Sequence, residues 1–154
     1  MSNERSDAAV LSADHVLEFG YTRTVGPVIG RFLTGLRDGR IEGVKTRAGK
    51  VLVPPQEYDP ETSEAVTDEF VEVGPAGTVT SWSWVSEPRK QQPLSQPYGL
   101  ALIKLDGADT AMLHAVDAGE SSKMSTGMRV VPRWRDERIG MITDIECFEP
   151  EESR

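Results

Sequence analysis

The feature that most constrains the fold is a series of apolar segments that alternate with period two from Glu69 onward. "EFVEV" leads through "GPAG" into "TVTSWSWV", and "YGLALIKL" turns at "DGAD" into "TAMLHAV". "MRVVPRWR" and "IGMITDIECF" close the series. Side chains alternate between the two faces of a strand, so each segment predicts a half-buried β-strand, and the Asp-Gly turn predicts a hairpin.

The order of these segments predicts a five-stranded barrel in a mainly β protein. One long strand is followed by a hairpin pair, a connector and two further strands. This is the order of an oligonucleotide/oligosaccharide-binding (OB) barrel. β-sandwiches share the same local signals, so the pattern alone leaves that alternative open.

One helix is predicted before the strands, in "GPVIGRFLTGLRDGR". Pro27 suits its first turn and Gly39 suits its C-terminal stop. Its apolar residues recur at i, i+3, i+4 and i+7, which places them on one stripe. The stripe consists of Ile29, Phe32, Leu33 and Leu36.

Between the helix and the barrel, "GVKTRAGKVLVPPQEYDPET" has the layout of a zinc ribbon, with a short knuckle, a Pro-Pro turn and a second knuckle. We call residues 43–62 the ribbon segment. It contains no cysteine, and the chain has a single one, Cys147. This excludes a disulfide framework and a four-cysteine metal cage. The predicted organisation is an arm and helix over residues 1–40, a degenerate ribbon over 41–66 and the barrel over 67–150.

Charge and hydropathy limit the classes of partner. The formal net charge is −8 with a pI near 4.8. A nucleic-acid binder needs a basic footprint, so a single-stranded nucleic-acid role is disfavoured even though the barrel shape permits it. No apolar run approaches the ~20 residues that span a bilayer, and the N-terminus lacks the pattern of a secretory signal. We therefore expect a cytoplasmic protein that binds neither nucleic acid nor a membrane.

Several segments, in order, resemble an acyl-CoA-associated family that combines an N-terminal helix, a rubredoxin-like zinc ribbon and an OB-fold. "FLTGLRDGR" resembles the family's helix, "GTVTSWSWV" its first barrel strand, "YGLALIKLDGAD" its central hairpin, and "GMRVVPRW" followed by "ECFEP" its ending. The family's ribbon reads C-x-x-C-G, four residues, Pro-Pro, then C-P-x-C. The resemblance places its four zinc-ligand positions on Lys45, Ala48, Asp59 and Thr62.

These four residues cannot form the tetrahedral Cys and His set that structural zinc requires, so we predict a metal-free ribbon and no cofactor. Structural zinc can contribute on the order of 10 kcal/mol to folding such a module. Its replacement is expected from packing of Val51, Val53 and Tyr58 on the barrel, from a Lys45–Asp59 ion pair, or from a partner surface. An exposed ion pair gives only about 0–1 kcal/mol, so packing or a partner must dominate.

Two groups on the barrel strands are candidate contact residues, each with a plainer alternative. Trp82 and Trp84 are expected to share a face with Thr78 and Thr80, as a stacking platform for an adenine ring or a partner; packing against the ribbon or helix is the favoured alternative. A basic cluster could meet coenzyme A phosphates or an acidic partner, against a solvated strand face as the favoured alternative. The cluster consists of Arg129, Arg133 and Arg135, with Arg138 and Lys123 nearby. Val53 and Tyr58 are candidate partner contacts on the ribbon.

The resemblance implies a non-catalytic accessory subunit. It would bind a thiolase-like or sterol-carrier-type aldolase in a hetero-oligomer and help to shape the acyl-CoA entrance, with steroid or lipid side-chain degradation as the implied pathway. The residues agree, because His114 has no serine, cysteine or carboxylate in a catalytic relation to it. The alternatives are a stand-alone acyl-CoA or lipid-ligand binding module and the disfavoured nucleic-acid binder.

Overall fold

The computed structural model describes residues 12–22 and 24–151. It confirms a mainly β protein in which one helix precedes a small sheet and a closed five-stranded barrel. Residues 1–11 of the predicted arm, and Arg23, lie outside the described residues. Within the described part, no helix has both the length and the hydropathy to cross a membrane.

Helix α1 (Gly26–Arg37) forms where the apolar stripe predicted it, with proline in its first turn. Phe32 and Leu36 are buried on the inner side. Gly39 has a φ of 75°, a left-handed conformation that glycine adopts without strain, and so the helix stops there as predicted. The Arg138 side chain donates to the Arg37 carbonyl oxygen at 3.0 Å and satisfies one of the carbonyls left open at the helix end.

A small antiparallel sheet follows, with strand order β2-β1-β3. Its strands are β1 (Ile41–Lys45), β2 (Val51–Leu52) and β3 (Phe70–Val73). The "EFVEV" segment, which the sequence analysis placed at the entry to the barrel, supplies β3 and pairs with β1 from Ile41↔Val73 to Val44↔Phe70. The small sheet therefore combines the first half of the ribbon segment with a strand that lies beyond its end.

The remaining five strands close into a barrel in the order β4-β5-β6-β8-β7. All neighbouring pairs are antiparallel except β6 and β8, which are parallel and share the single pair Val116↔Phe148. The β4–β7 pair closes the ring through Gly77↔Val130 and Thr78↔Arg129. The strands are β4 (Gly77–Val85), β5 (Tyr98–Leu105), β6 (Met112–Val116), β7 (Arg129–Trp134) and β8 (Ile145–Pro150).

Four hydrogen bonds join β2 to the turn of the β5–β6 hairpin; we call them the hairpin clamp. The Val51 N–H donates to the Asp109 carboxylate at 2.7 Å, and the Asp109 N–H donates to the Val51 carbonyl at 2.8 Å. The Val53 N–H donates to Thr110 Oγ1 at 2.7 Å, and this hydroxyl donates to the Val53 carbonyl at 2.9 Å. The edge of the small sheet is therefore paired with the barrel.

One apolar core runs through the helix, the small sheet and the barrel. It contains Phe32 and Leu36 of α1, Val53 directly after β2, and barrel residues such as Ile103 and Phe148. A smaller cluster lies under the loop between β4 and β5 and includes Cys147, which is fully buried. Burial raises the pKa of this thiol to about 11, so Cys147 serves as an apolar residue.

Candidate partner-binding surfaces

Trp82 and Trp84 lie on the inner side of β4, and the expectation that they share a face with Thr78 and Thr80 was wrong. A bulge between Val79 and Ser81 inserts one residue into β4. Below the bulge Val79 pairs with buried Ile103, and above it Trp82 pairs with buried Ala101. Because one extra residue reverses the alternation, both tryptophans turn inward and pack, half-buried, against the main core. This arrangement fits the packing alternative.

Arg129 lies on the outer face of β7, and its charge is balanced within the chain. Its guanidinium binds both oxygens of the Asp106 carboxylate, at 2.6 and 2.7 Å, and its Nε donates to Glu151 at 3.1 Å. These hydrogen bonds raise the pKa of Arg129 and lower the pKa of Asp106. A phosphate would have to displace two carboxylates from this side chain.

Arg133 lies on the same outer face and meets three carboxylates. It binds Glu146 at 2.9 Å, Glu149 at 3.1 Å and Asp117 at 3.2 Å. Burial opposes the charged form, but the surrounding carboxylates outweigh it, and the pKa of Arg133 is raised. Pro132 does not change the alternation of β7. The irregularity in the β7–β8 pair lies in β8, where Glu146 has no partner in the register. Arg129 and Arg133 share one face of β7, as predicted, whereas Arg135 lies beyond the end of the strand. The acids around the two arginines neutralise much of their charge.

Arg135 differs from the other two arginines. Its Nε donates to the Thr143 carbonyl at 2.7 Å, and within residues 12–22 and 24–151 no carboxylate pairs with it. Arg138 binds the Arg37 and Arg135 carbonyls, and Lys123 pairs with Glu120 three residues earlier. Among the described residues, the other cations of the predicted basic cluster are engaged by carboxylates or carbonyls of their own, and Arg135 keeps Nη groups that bind no carboxylate.

The four ribbon positions that the resemblance equates with zinc ligands have other roles here. The Lys45 ammonium pairs with Glu69, so the expected Lys45–Asp59 ion pair does not form. Asp59 is buried, and its carboxylate accepts the Glu61 N–H at 2.9 Å. Ala48 and Thr62 are exposed. In the part of the chain that the structure describes, no three His, Cys, Asp or Glu side chains gather as a metal site would require.

The two ribbon residues predicted to contact a partner lie in opposite environments. Val53 is 1% exposed and belongs to the core, so its side chain cannot reach a partner in this fold. Tyr58 is 60% exposed and lines a cleft of about 530 Å³ between the ribbon segment and the start of α1. The cleft is completed by Thr24, Val25, Gly26, Ile29, Pro55, Gln56 and Glu57. We call it the Tyr58 cleft.

An exposed apolar surface that was not predicted lies near the C-terminal end of α1. Leu113 of β6 is 58% exposed, and Ile139, Met141 and Ile142 of the loop before β8 are 66%, 49% and 40% exposed. The apolar run "IGMI" was assigned to the last strand, whereas β8 begins only at Ile145. The charged segment "RDER" just before this run was a signal for a turn. A turn there ends β7 and leaves the residues that follow it outside both strands.

Comparison with known proteins gives two kinds of likeness. Residues 70–135 match the family described as the C-terminal OB-fold domain of ChsH2. This range includes β3 to β7 and the candidate tryptophans and arginines, and it leaves the ribbon segment outside. A search of curated proteins found no match.

Two solved structures share the fold. The Ltp2-ChsH2(DUF35) aldolase gives a TM-score of 0.60 at 20% identity, covering 84% of this chain and 98% of that chain. A DUF35-family protein of unknown function from Sulfolobus solfataricus gives a TM-score of 0.55 at 23% identity, covering 70% of this chain and 78% of that chain. At identities of 20% and 23%, these likenesses show the fold alone.

Proposed function

We propose that this chain is an accessory subunit that binds a thiolase-like or aldolase-type enzyme acting on acyl-CoA thioesters and supplies no catalytic group itself. The observation that carries the proposal is the match of residues 70–135 to the ChsH2 OB-fold domain. The shared fold with the Ltp2-ChsH2(DUF35) aldolase, over 98% of the matched chain, supports it. Steroid or lipid side-chain degradation is the pathway that we propose for the complex.

The Tyr58 cleft is the surface that we propose for this enzyme partner. Tyr58 of the ribbon segment and Val25, the residue before α1, are exposed at 60% and 41% and line the same concave surface. Tyrosine is among the residues that most often anchor a protein interface. Val53 contributes from below, because it holds the ribbon segment against the core.

We do not assign coenzyme A to Arg129 or Arg133. Each already binds two or three carboxylates of its own chain, and a phosphate would have to compete with them. Trp82 and Trp84 face inward and are half-buried, which leaves little ring surface for an adenine to stack on. Any contact with the thioester therefore depends on the partner to supply most of the site.

The test is co-expression with a thiolase-like aldolase from the same organism, with an affinity tag on this chain alone, followed by size-exclusion chromatography with light scattering. We expect a hetero-oligomer of defined mass. The Tyr58→Asp variant should weaken it, because a charge is placed in a desolvated interface. Gln91→Asp, which makes the same charge change in the exposed β4–β5 loop, should not.

Two outcomes would count against different parts of the proposal. Folded chain that elutes alone in the presence of the aldolase would refute the subunit function. A normal complex with Tyr58→Asp would keep the function and exclude the Tyr58 cleft as the docking surface. Circular dichroism of both variants checks that they are folded.

A further inference from the structure

The loop between β7 and β8 holds three large apolar side chains in the solvent on a fixed backbone. Asp144 is 1% exposed, and its carboxylate accepts the N–H groups of Ile139 at 3.1 Å, Gly140 at 2.7 Å and Met141 at 3.1 Å. Arg138 ties the start of the loop to the end of α1. Ile139, Met141 and Ile142 are therefore displayed by a braced loop, which indicates a surface built for contact.

Beside this loop lies an apolar pocket of about 200 Å³. The adjacent cross-strand pair Leu102↔Leu113 leaves Leu102 40% and Leu113 58% exposed, so the apolar surface continues past the pocket mouth. The pocket is lined by Pro93, Leu100, Leu113, His114, Ala115, Ile142, Thr143 and Ile145, with Arg135 and Glu146 also contributing. We call it the Leu113 pocket.

The polar groups of the pocket leave one positive charge available. Glu146 is engaged by Arg133 at 2.9 Å. His114 is nearly buried, and burial lowers its pKa, so its ring is neutral at physiological pH. The Nη groups of Arg135 have no carboxylate partner in the described part of the chain. An occupant should therefore pair an apolar group with a nearby anion.

The N-terminal arm, residues 12–22, offers this combination. Leu17, Phe19 and Tyr21 stand at every second position of this segment and are 68%, 80% and 79% exposed. Glu18 stands between Leu17 and Phe19. Exposed apolar side chains that cluster in this way mark a contact site more often than apolar side chains scattered singly.

The size of the pocket favours a single side chain over a small molecule. Ligand pockets usually enclose about 300–1,000 Å³, and this one is smaller. Interface hot spots, in contrast, are commonly aromatic side chains seated in a pocket and surrounded by further apolar contacts. The exposed side chains around the Leu113 pocket supply that surround.

We propose that the arm of one copy of this chain docks on the barrel of a second copy, with the Phe19 ring in the Leu113 pocket and the Glu18 carboxylate on Arg135. The loop beside the pocket packs against the C-terminal end of α1, whereas the arm precedes the N-terminal end of this helix. The two ends of the 12-residue helix are about 18 Å apart. Within one chain the arm would have to run back over the polar outer face of α1, which carries Arg31 and Thr34. Exchange between two copies seats both arms and closes a two-fold dimer.

The test is the oligomeric state of the full chain by sedimentation equilibrium, with no other protein present. We expect a reversible dimer. Phe19→Ala and Leu113→Asp should each raise the dimer Kd by about thirtyfold or more, as loss of an interface anchor does. Ser12→Ala in the arm and Ser122→Asp in the connector between β6 and β7 are the exposed controls and should leave the Kd unchanged.

A charge exchange isolates the Glu18–Arg135 contact. Glu18→Arg and Arg135→Glu should each weaken the dimer about two- to fivefold, and the double variant should regain the affinity. A peptide of residues 12–22 should bind the full-length Phe19→Ala chain and fail to bind Leu113→Asp. A monomer at every concentration, or a dimer indifferent to Phe19→Ala and Leu113→Asp, would overturn the proposal. Neither result bears on binding of an aldolase, because the enzyme is absent from the experiment.

Discussion

Replacement of Asp144 by alanine should cost the protein about 3 kcal/mol of unfolding free energy. The carboxylate accepts three backbone hydrogen bonds of 2.7–3.1 Å from the loop before it. Hydrogen bonds to a charged group contribute about 1.5–3 kcal/mol each, which sets a ceiling of about 4.5–9 kcal/mol. The loop is largely exposed and water can replace part of the loss, so we expect about 3 kcal/mol, below this ceiling.

Asp144→Asn is the matched variant. It keeps the size of the side chain and one acceptor oxygen, but it loses the charge and the second acceptor, so its cost should be about 1–2 kcal/mol. The assay is urea unfolding at pH 7, read by circular dichroism, with the m-value used to check that the transition stays two-state. Alanine should thus be clearly worse than asparagine.

The effect should also depend on pH in a defined direction. Burial alone would raise the pKa of Asp144, but the three backbone hydrogen bonds and Arg138 outweigh it and lower the pKa below its ordinary value of 3.8. The stabilisation is therefore complete above pH ~4 and is lost as the pH falls through the lower pKa of the folded state. Surface substitutions usually change the unfolding free energy by less than about 0.5 kcal/mol. An alanine variant that stays within this range of wild type at pH 7 would refute the reasoning.

Three further predictions follow from other parts of the molecule. Gly43→Val should lower the Tm markedly in calorimetry, because even a Cβ there would lie 2.6 Å from Val51 Cγ1 and 2.9 Å from the Leu52 carbonyl oxygen; an unchanged Tm would contradict the packing of β1 on β2. Burial lowers the pKa of His114 below 6.5, so the unfolded state is protonated before the folded state and stability should fall as the pH drops below about 6.5. In urea titrations at pH 7 and pH 5, the His114→Gln variant should lose less stability between the two pH values than wild type does. Elemental analysis of the dialysed protein should find no stoichiometric zinc, since the four ribbon positions hold no cysteine or histidine; one zinc per chain would require ligands of another kind.

The order of the barrel strands could be predicted from the sequence because the signals are local. The alternation in β5 and β6 and the Asp-Gly turn between them depend on neighbouring residues alone. The partner of β3 could not be predicted in this way. Period two in "EFVEV" indicates a strand, but its pairing with β1 joins Phe70 to Val44 across the whole ribbon segment, and no local pattern specifies that contact.

The contact residues were harder to predict, for two physical reasons. A single bulge near Thr80 reverses the faces of the following residues, and the sequence contains no glycine there to mark it. The charge of Arg133 could be read from the sequence, but its partners Asp117 and Glu149 lie sixteen residues away on either side and meet it only when the barrel closes. Exposure of the positive charges therefore could not be inferred from their alternation.

The hairpin clamp bears on how such a protein can be altered by recombination. A barrel excised at Gly77 would leave Asp109 and Thr110 without the strand edge that they bind, and would open the shared core where Val53 and Val73 now lie. The small sheet alone would lose the partner of its own edge in the same step. Neither part is a freely exchangeable cassette, and a grafted ribbon would have to bring its matching hairpin turn with it.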